Sequence, residues 1–211
     1  MNFLQRKIIH YAEKHSTPLS QVLYELERET YLKTLAPQMM SGHIQGQLLS
    51  FISQMIQPKN ILEIGTFSGY STICLTKGLQ KNGMIHTIEV NDELAYISNK
   101  YFEKANLQNK IKAHIGKAED IIPTINLQFD IVFIDAGKKD YGHHYDLVFD
   151  KVNSGGYILA DNVLWDGKVV QEKKDYGAKA LDIFNKKIRQ DERVENVLLP
   201  MRDGLMLIRK Q

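Results

Sequence analysis

The stretch "NILEIGTFSGYS", residues 60–71, decides the fold. Asn60 to Gly65 is a short apolar run closed by glycine, and a helical pattern follows from about Tyr70 to Gln80. The same alternation continues down the chain. "MIHTIEV" (84–90), "IKAHIG" (111–116), "FDIVFID" (129–135) and "GGYILAD" (155–161) read as further strands. Helical patterns between them fall near 92–105 and 141–152, with a short segment around "AEDIIP". Strands alternating with helices in this way predict a parallel sheet covered on both faces. The end of the chain differs. A helix near 177–190 precedes "VENVLLP" (194–200), a short loop carrying Arg202, Asp203 and Gly204, and "LMLIRK" (205–210). So short a link predicts an antiparallel hairpin. The expected fold class is α/β: a doubly wound, mostly parallel seven-stranded sheet ending in a hairpin.

Working outward, residues 1–57 read as a helical N-terminal cap and 58–211 as the core of one domain. "STPLSQVLYELERETYLKTL" offers caps before a helical period, and Ile44, Leu48, Leu49, Ile52, Met55 and Ile56 form a second helical stripe ended near Pro58. There is no internal repeat, low-complexity tract or linker. Of 211 residues, 43% are apolar and 25% charged, an ordinary balance for a globular chain. No apolar run reaches the roughly 20 residues of a membrane helix. The start "MNFLQRKIIHYAEKH" lacks the pattern of a secretory signal. With Cys74 as the only cysteine, an internal disulfide is excluded and a cytoplasmic setting is expected. The net charge of +2 is too small to argue for nucleic acid, and the Lys-Lys doublets read as solvated surface.

Ligands of such sheets bind beyond the carboxyl ends of the strands, where strand order reverses. The first strand ends with Glu63, Gly65, Gly69 and Ser71. Gly65 and Gly69 suit a tight turn with close backbone approach, in a GxxxG spacing that is neither a dinucleotide fingerprint nor a P-loop. Glu89 lies 24 residues after Gly65 (89 − 65), near the offset at which an acid holds ribose hydroxyls. Together they favour a ligand with an adenosine-like ribose and no pyrophosphate. Asp135 and Asp161 end the fourth and fifth strands, and neighbouring strands lie about 4.8 Å apart. With Asn162 they form an all-oxygen set suited to Mg²⁺, or to Ca²⁺ or Mn²⁺. Spacing alone leaves that reading level with a helix cap at Asp161 and a turn at Asn162. Lys138, three residues after Asp135, overhangs the same place. It is either a loop lysine or a desolvated general base beside a dication. His143 and His144 read as helix-surface residues, and Tyr141 as a candidate pocket wall.

"ILEIGTFSGYSTICL", "HTIEVND", "FDIVFIDAGKKDY" and "GGYILADNVLWDGKV" resemble the cation-dependent, S-adenosylmethionine-dependent O-methyltransferases of the catechol and caffeoyl-CoA type. The resemblance extends to "QMMSGHIQGQLL" and "RVENVLLPMRDGLMLIRK". It implies Asp135, Asp161 and Asn162 as metal ligands and Lys138 as general base. It implies cofactor contacts at Ser41, Glu63, Gly65, Ser71, Glu89, Ala118 and Asp135, and substrate contacts at Met39 and Trp165. It also implies a small phenolic acceptor and a homodimer. Two departures stand out. Gly137 replaces an acid common in bacterial and plant relatives, and the stretch between Trp165 and Lys173 is too short for the loop with which plant enzymes meet CoA. The expected reaction is methyl transfer to a catechol-like hydroxyl. The alternatives are methylation of 5-hydroxyuridine in tRNA and a non-catalytic cofactor-binding protein.

Overall fold

The computed structural model describes residues 3–211, with side chains from residue 7 onward. Met1 and Asn2, the beginning of the expected helical cap, lie outside the described residues. The strands are β1 (Asn60–Ile64), β2 (Met84–Glu89), β3 (Ile111–Ile115), β4 (Phe129–Ile134), β5 (Val152–Ala160), β6 (Val194–Leu199) and β7 (Leu205–Lys210). They form one seven-stranded sheet in the order β3-β2-β1-β4-β5-β7-β6. β1 to β5 pair in parallel, while β7 runs antiparallel to both β5 and β6. The doubly wound, mostly parallel sheet and its terminal hairpin are therefore as the sequence predicts. The hairpin's second strand is the inner one. β7 is largely buried and β6 half exposed, so the apolar "LMLI" goes inside and β6, with Glu195, Asn196 and Val197 exposed, takes the edge.

Helices α1 (Phe3–Lys14), α2 (Gln21–Lys33) and α3 (Gly42–Ile56) precede the sheet. Between and after the strands lie α4 (Tyr70–Leu75), α5 (Ala95–Lys104), α6 (Ala118–Ile121), α7 (Tyr141–Phe149) and α8 (Tyr176–Gln190). Successive residues of the central strands face opposite sides, and both sides are buried, so β1 and β4 read as continuous apolar runs. Leu62, Val132, Ile134 and Ile158 pack with Tyr145, Leu181 and Phe184 of α7 and α8. Ile61, Ile131, Phe133 and Leu159 pack with Leu49, Ile52, Ile73 and Ile97 of α3, α4 and α5. Among the described residues no helix is long and apolar enough to cross a membrane.

Three local expectations change. α4 stops at Leu75 and a 3-10 turn follows, because Gly78 packs against the Ser53 backbone so closely that a Cβ there would lie 2.0 Å from it. β5 begins at Val152, three residues early, with a register shift opposite Phe129 and Ile131 and a left-handed Gly155. The buried face of α3 is rotated from the predicted stripe. Met55 is 75% exposed, and Gln45, Gly46, Ser50 and Ser53 are buried with Leu49 and Ile52. Small residues win because Ser50 and Ser53 donate to the Cys74 and Leu75 carbonyls at 3.1 and 2.5 Å, which draws α3 close to α4.

Candidate active site

Strand order reverses at β1, which lies between β2 and β4. The three carboxyl ends there are held in step by backbone bonds. The amides of Gly65, Asp135 and Asp161 donate to the carbonyls of Ile88, Ile64 and Ile134 at 2.9, 2.9 and 3.0 Å. Gly65 has φ +104°, and a Cβ on it would sit 2.0 Å from the Asp135 carbonyl oxygen. Only glycine lets β1 turn this close to β4.

Above these ends opens a cavity of about 890 Å³, within the range of small-molecule sites. On the β2 side its lining includes Gly65, Phe67, Glu89, Ala118 and His144. The Glu89 carboxylate accepts from the backbone amides of Phe67 and Asn91 at 2.8 and 2.9 Å, which fixes its position. On the β4–β5 side the lining includes Met39, Asp135, Lys138, Asn162, Trp165 and Asp203. Eight of the twelve expected site residues are thus not scattered: Met39, Gly65, Glu89, Ala118, Asp135, Lys138, Asn162 and Trp165 line this one cavity. Ser41, Glu63, Ser71 and Asp161 are buried behind the lining. Ser71 donates to Glu63 at 2.6 Å, and Glu63 also accepts from Thr87 at 2.5 Å, so this pair braces the first turn from below.

The polar floor lies between β4 and β5. Lys138 donates to Asp135 Oδ1 at 3.2 Å, to Asn162 Oδ1 at 2.5 Å and to the Tyr141 hydroxyl at 3.0 Å. Tyr141 in turn donates to the Asp161 carbonyl at 2.8 Å. The Asp161 carboxylate accepts from Gln45 Nε2 at 2.6 Å and from the Asn162 amide at 2.7 Å. Asn162 has φ +58°, a left-handed conformation that asparagine tolerates better than most residues. Burial pushes the Asp161 pKa up to about 7, and the neighbouring Asp135 charge adds to the rise. Burial also raises Asp135, with the Lys138 charge acting against it.

These residues fit a hard divalent cation. Two desolvated carboxylates side by side are costly without positive charge between them. Asp135 Oδ1 and Asn162 Oδ1 already converge on one cationic atom, the Lys138 ammonium. All three candidate donors are oxygens, which suits Mg²⁺, Ca²⁺ or Mn²⁺ rather than softer ions. Among the described residues no three His, Cys, Asp or Glu side chains cluster at ligand distances, so no competing site of that kind exists there.

Some of the site was not marked in the sequence. His143 is exposed as expected, but His144 is buried and forms part of the cavity wall, because α7 turns that face towards α6. Gln45 carried no expectation. The available signal was a polar residue four and seven positions before Leu49 and Ile52, on the buried side of α3. Asp203 lines the cavity and accepts from the Asp166 amide, which ties the hairpin turn to the loop after β5.

A family profile described as O-methyltransferase matches residues 13–211. A catechol O-methyltransferase of Niastella koreensis is 36% identical over 162 residues, 74% of this chain and 73% of the relative. Caffeoyl-CoA O-methyltransferase 2 of Petunia hybrida is 33% identical over 180 residues, 79% of this chain and 74% of the relative. The fold superposes with a TM-score of 0.90 on an O-methyltransferase of Bacillus cereus in complex with SAH, at 27% identity and 97% coverage of each chain. It superposes with a TM-score of 0.91 on a Streptomyces achromogenes O-methyltransferase involved in tomaymycin synthesis, in complex with SAM, at 26% identity and full coverage of both chains. The chain belongs to the O-methyltransferase family that includes these catechol and caffeoyl-CoA enzymes, and it is an S-adenosylmethionine-dependent O-methyltransferase.

Proposed function

We propose that the protein moves a methyl group from S-adenosylmethionine to one hydroxyl of a catechol-like aromatic, using a divalent cation held by Asp135, Asp161 and Asn162. The carrying observation is the polar floor, where Asp135 Oδ1 and Asn162 Oδ1 meet at Lys138 beneath the Trp165 side of the cavity. The cofactor lies on the β2 side. Gly65 gives it close backbone approach, the fixed Glu89 carboxylate receives its ribose hydroxyls and Ala118 faces its adenine. Ser41 adjoins its methionine portion, while Glu63 and Ser71 brace the turn beneath it. Met39 and Trp165 flank the acceptor, whose ring is favoured by the apolar wall. The cation, when bound, supplies Lewis-acid polarisation of the acceptor oxygens. Lys138, in its neutral form, would take the hydroxyl proton, and the acceptor oxygen would bond to the methyl carbon as that carbon's bond to sulfur breaks, with S-adenosylhomocysteine leaving and both reactants held in one cavity. The homodimer implied by the resemblance is part of this proposal, with the exposed Tyr24, Tyr31, Leu32, Phe51 and Met55 of α2 and α3 as the apolar groups a second copy would cover.

The test is methyl transfer from labelled cofactor to a panel of vicinal dihydroxy aromatics, with Mg²⁺ and with chelator, beside tRNA lacking wobble modification. Labelled product from the catechols that falls at least ~100-fold with chelator, as loss of metal assistance requires, is expected. Transfer to tRNA alone overturns the small-phenol acceptor, and transfer indifferent to chelator overturns the cation.

A further inference from the structure

The three proposed cation ligands come from the ends of β4 and β5, but one of them is held by a residue from the other end of the chain. Gln45 sits in the first turn of α3 and is 1% exposed. Its Nε2 donates to Asp161 Oδ2 at 2.6 Å across 116 residues of sequence. Asp161 is itself only 3% exposed, and its other oxygen accepts from the Asn162 amide at 2.7 Å. Each carboxylate oxygen therefore has one donor, and the two donors fix the plane of the group. A carboxylate oxygen has about two lone-pair directions, so each keeps one for another partner.

The seat of Gln45 is tightly set. The next residue, Gly46, lies so close to α4 that a Cβ would fall 2.7 Å from the Tyr70 ring and 2.9 Å from the Cys74 sulfur. α3 is thus pressed down to the depth at which a glutamine side chain spans to Asp161. The chemistry of the donor matters as well. A lysine or arginine here would neutralise Asp161 and compete with a cation. A carboxamide donates a hydrogen bond and leaves the full negative charge in place.

We infer that Gln45 is a positioning residue for the cation centre, orienting the Asp161 carboxylate from α3. This rests on the cation reading of Asp135, Asp161 and Asn162. Residues that orient metal ligands from behind typically contribute about 10–100-fold to metal affinity.

The test is Mn²⁺ binding to the purified full chain, read by electron paramagnetic resonance of the free ion, for wild type, Asp161→Ala, Gln45→Leu and Gln45→Met. The two Gln45 variants remove the donor while keeping bulk or length. Circular dichroism and S-adenosylhomocysteine affinity report whether each has folded. We expect wild type to bind Mn²⁺ and Asp161→Ala to lose binding. We expect both Gln45 variants to bind at least ~10-fold more weakly, with cofactor-product affinity within about twofold of wild type. In turnover, their KM for Mg²⁺ rises and kcat at saturating Mg²⁺ recovers, which a general loss of structure does not produce. If wild type binds and a folded Gln45 variant binds equally well, the positioning role is wrong and the cation reading stands. If wild type itself does not bind Mn²⁺, the cation reading falls and this inference falls with it.

Discussion

Lys138 is the residue on which the proposed chemistry turns, and its surroundings define what its removal should do. Its ammonium meets an aspartate, a carboxamide and a tyrosine hydroxyl at the cavity floor, and lies 5.9 Å from the Trp165 ring centre. For Lys138→Ala we expect kcat to fall about 10²–10⁴-fold, the usual contribution of a general base. The affinity for S-adenosylhomocysteine should change little, because the hydrogen bonds of Lys138 go to Asp135, Tyr141 and Asn162 and not to Gly65, Glu89 or Ala118. Steady-state kinetics and calorimetry check both, and a wild-type kcat would remove Lys138 from the mechanism. At this scale the sequence was informative wherever function sits at a strand end. Asp135 and Asp161 stood out because each follows directly on an apolar run, Asn162 because it follows Asp161, and Lys138 because it follows Asp135 by three positions, though spacing alone left the cation reading of Asp161 and Asn162 level with a cap and a turn. Met39, Ser41, Ala118 and Trp165 came only through resemblance. Gln45 was not found, because nothing local announces a contact spanning 116 residues.

Among the elements, the segment between α2 and α3 depends most on a distant partner. Arg202, in the turn between β6 and β7, donates twice to the Met40 carbonyl, both at 3.0 Å. The same turn holds the loop after β5 through Asp203 and Asp166. One hairpin turn therefore positions both Met39 and Trp165, the two proposed substrate walls. Hydrogen bonds from a charged donor contribute about 1.5–3 kcal/mol each at most. Arg202→Ala should lower kcat/KM for the acceptor by at least ~10-fold through KM, and proteolysis within residues 34–41 should quicken while the unfolding midpoint moves only slightly. Unchanged KM and unchanged proteolysis would show that this segment holds itself. The parallel strands and the hairpin were legible as elements, but the order in which the strands lie in the sheet was not. The placing of β7 beside β5 was not, since either hairpin strand satisfies the connection and only relative burial chooses between them. The rotation of α3 escaped for a related reason: its apolar stripe was read correctly as helical, but serine-to-carbonyl bonds rather than apolar area set the face.

Across the whole molecule, two buried ionisable groups pull the pH dependence of stability in opposite directions. Glu63 is fully buried on the face of β1 that meets α4, and burial pushes its pKa from 4.5 up to about 7, against the Ser71, Thr72 and Thr87 hydroxyls that donate to it. His86 stacks on His114 with ring centres 5.2 Å apart, and is pushed from 6.5 down to about 4, by burial first and by the His114 and Lys112 charges after it. Between pH 4.5 and about 7 the folded chain keeps a proton on Glu63 that the unfolded chain has lost. The stability contributed by Glu63 is thus full below pH 4.5 and is lost as pH rises through about 7. His86 behaves oppositely: its contribution is present above pH 6.5 and is lost as pH falls through about 4. The two slopes oppose each other between pH 4.5 and 6.5, which should leave a shallow profile for this pair. Glu63→Gln separates them. The amide keeps the size and an acceptor oxygen, its NH₂ can donate to a rotated threonine hydroxyl, and it cannot ionise. At about 1.4 kcal/mol per pKa unit, the gap between 4.5 and about 7 corresponds to about 3 kcal/mol. Urea unfolding at about pH 4, 6 and 8 should show the variant near wild type at the lowest pH and about 3 kcal/mol more stable at the highest, with most of the gain between. A difference between the two proteins that stays constant with pH would mean that Glu63 titrates alike in the folded and unfolded chains, its three hydroxyl donors offsetting its burial.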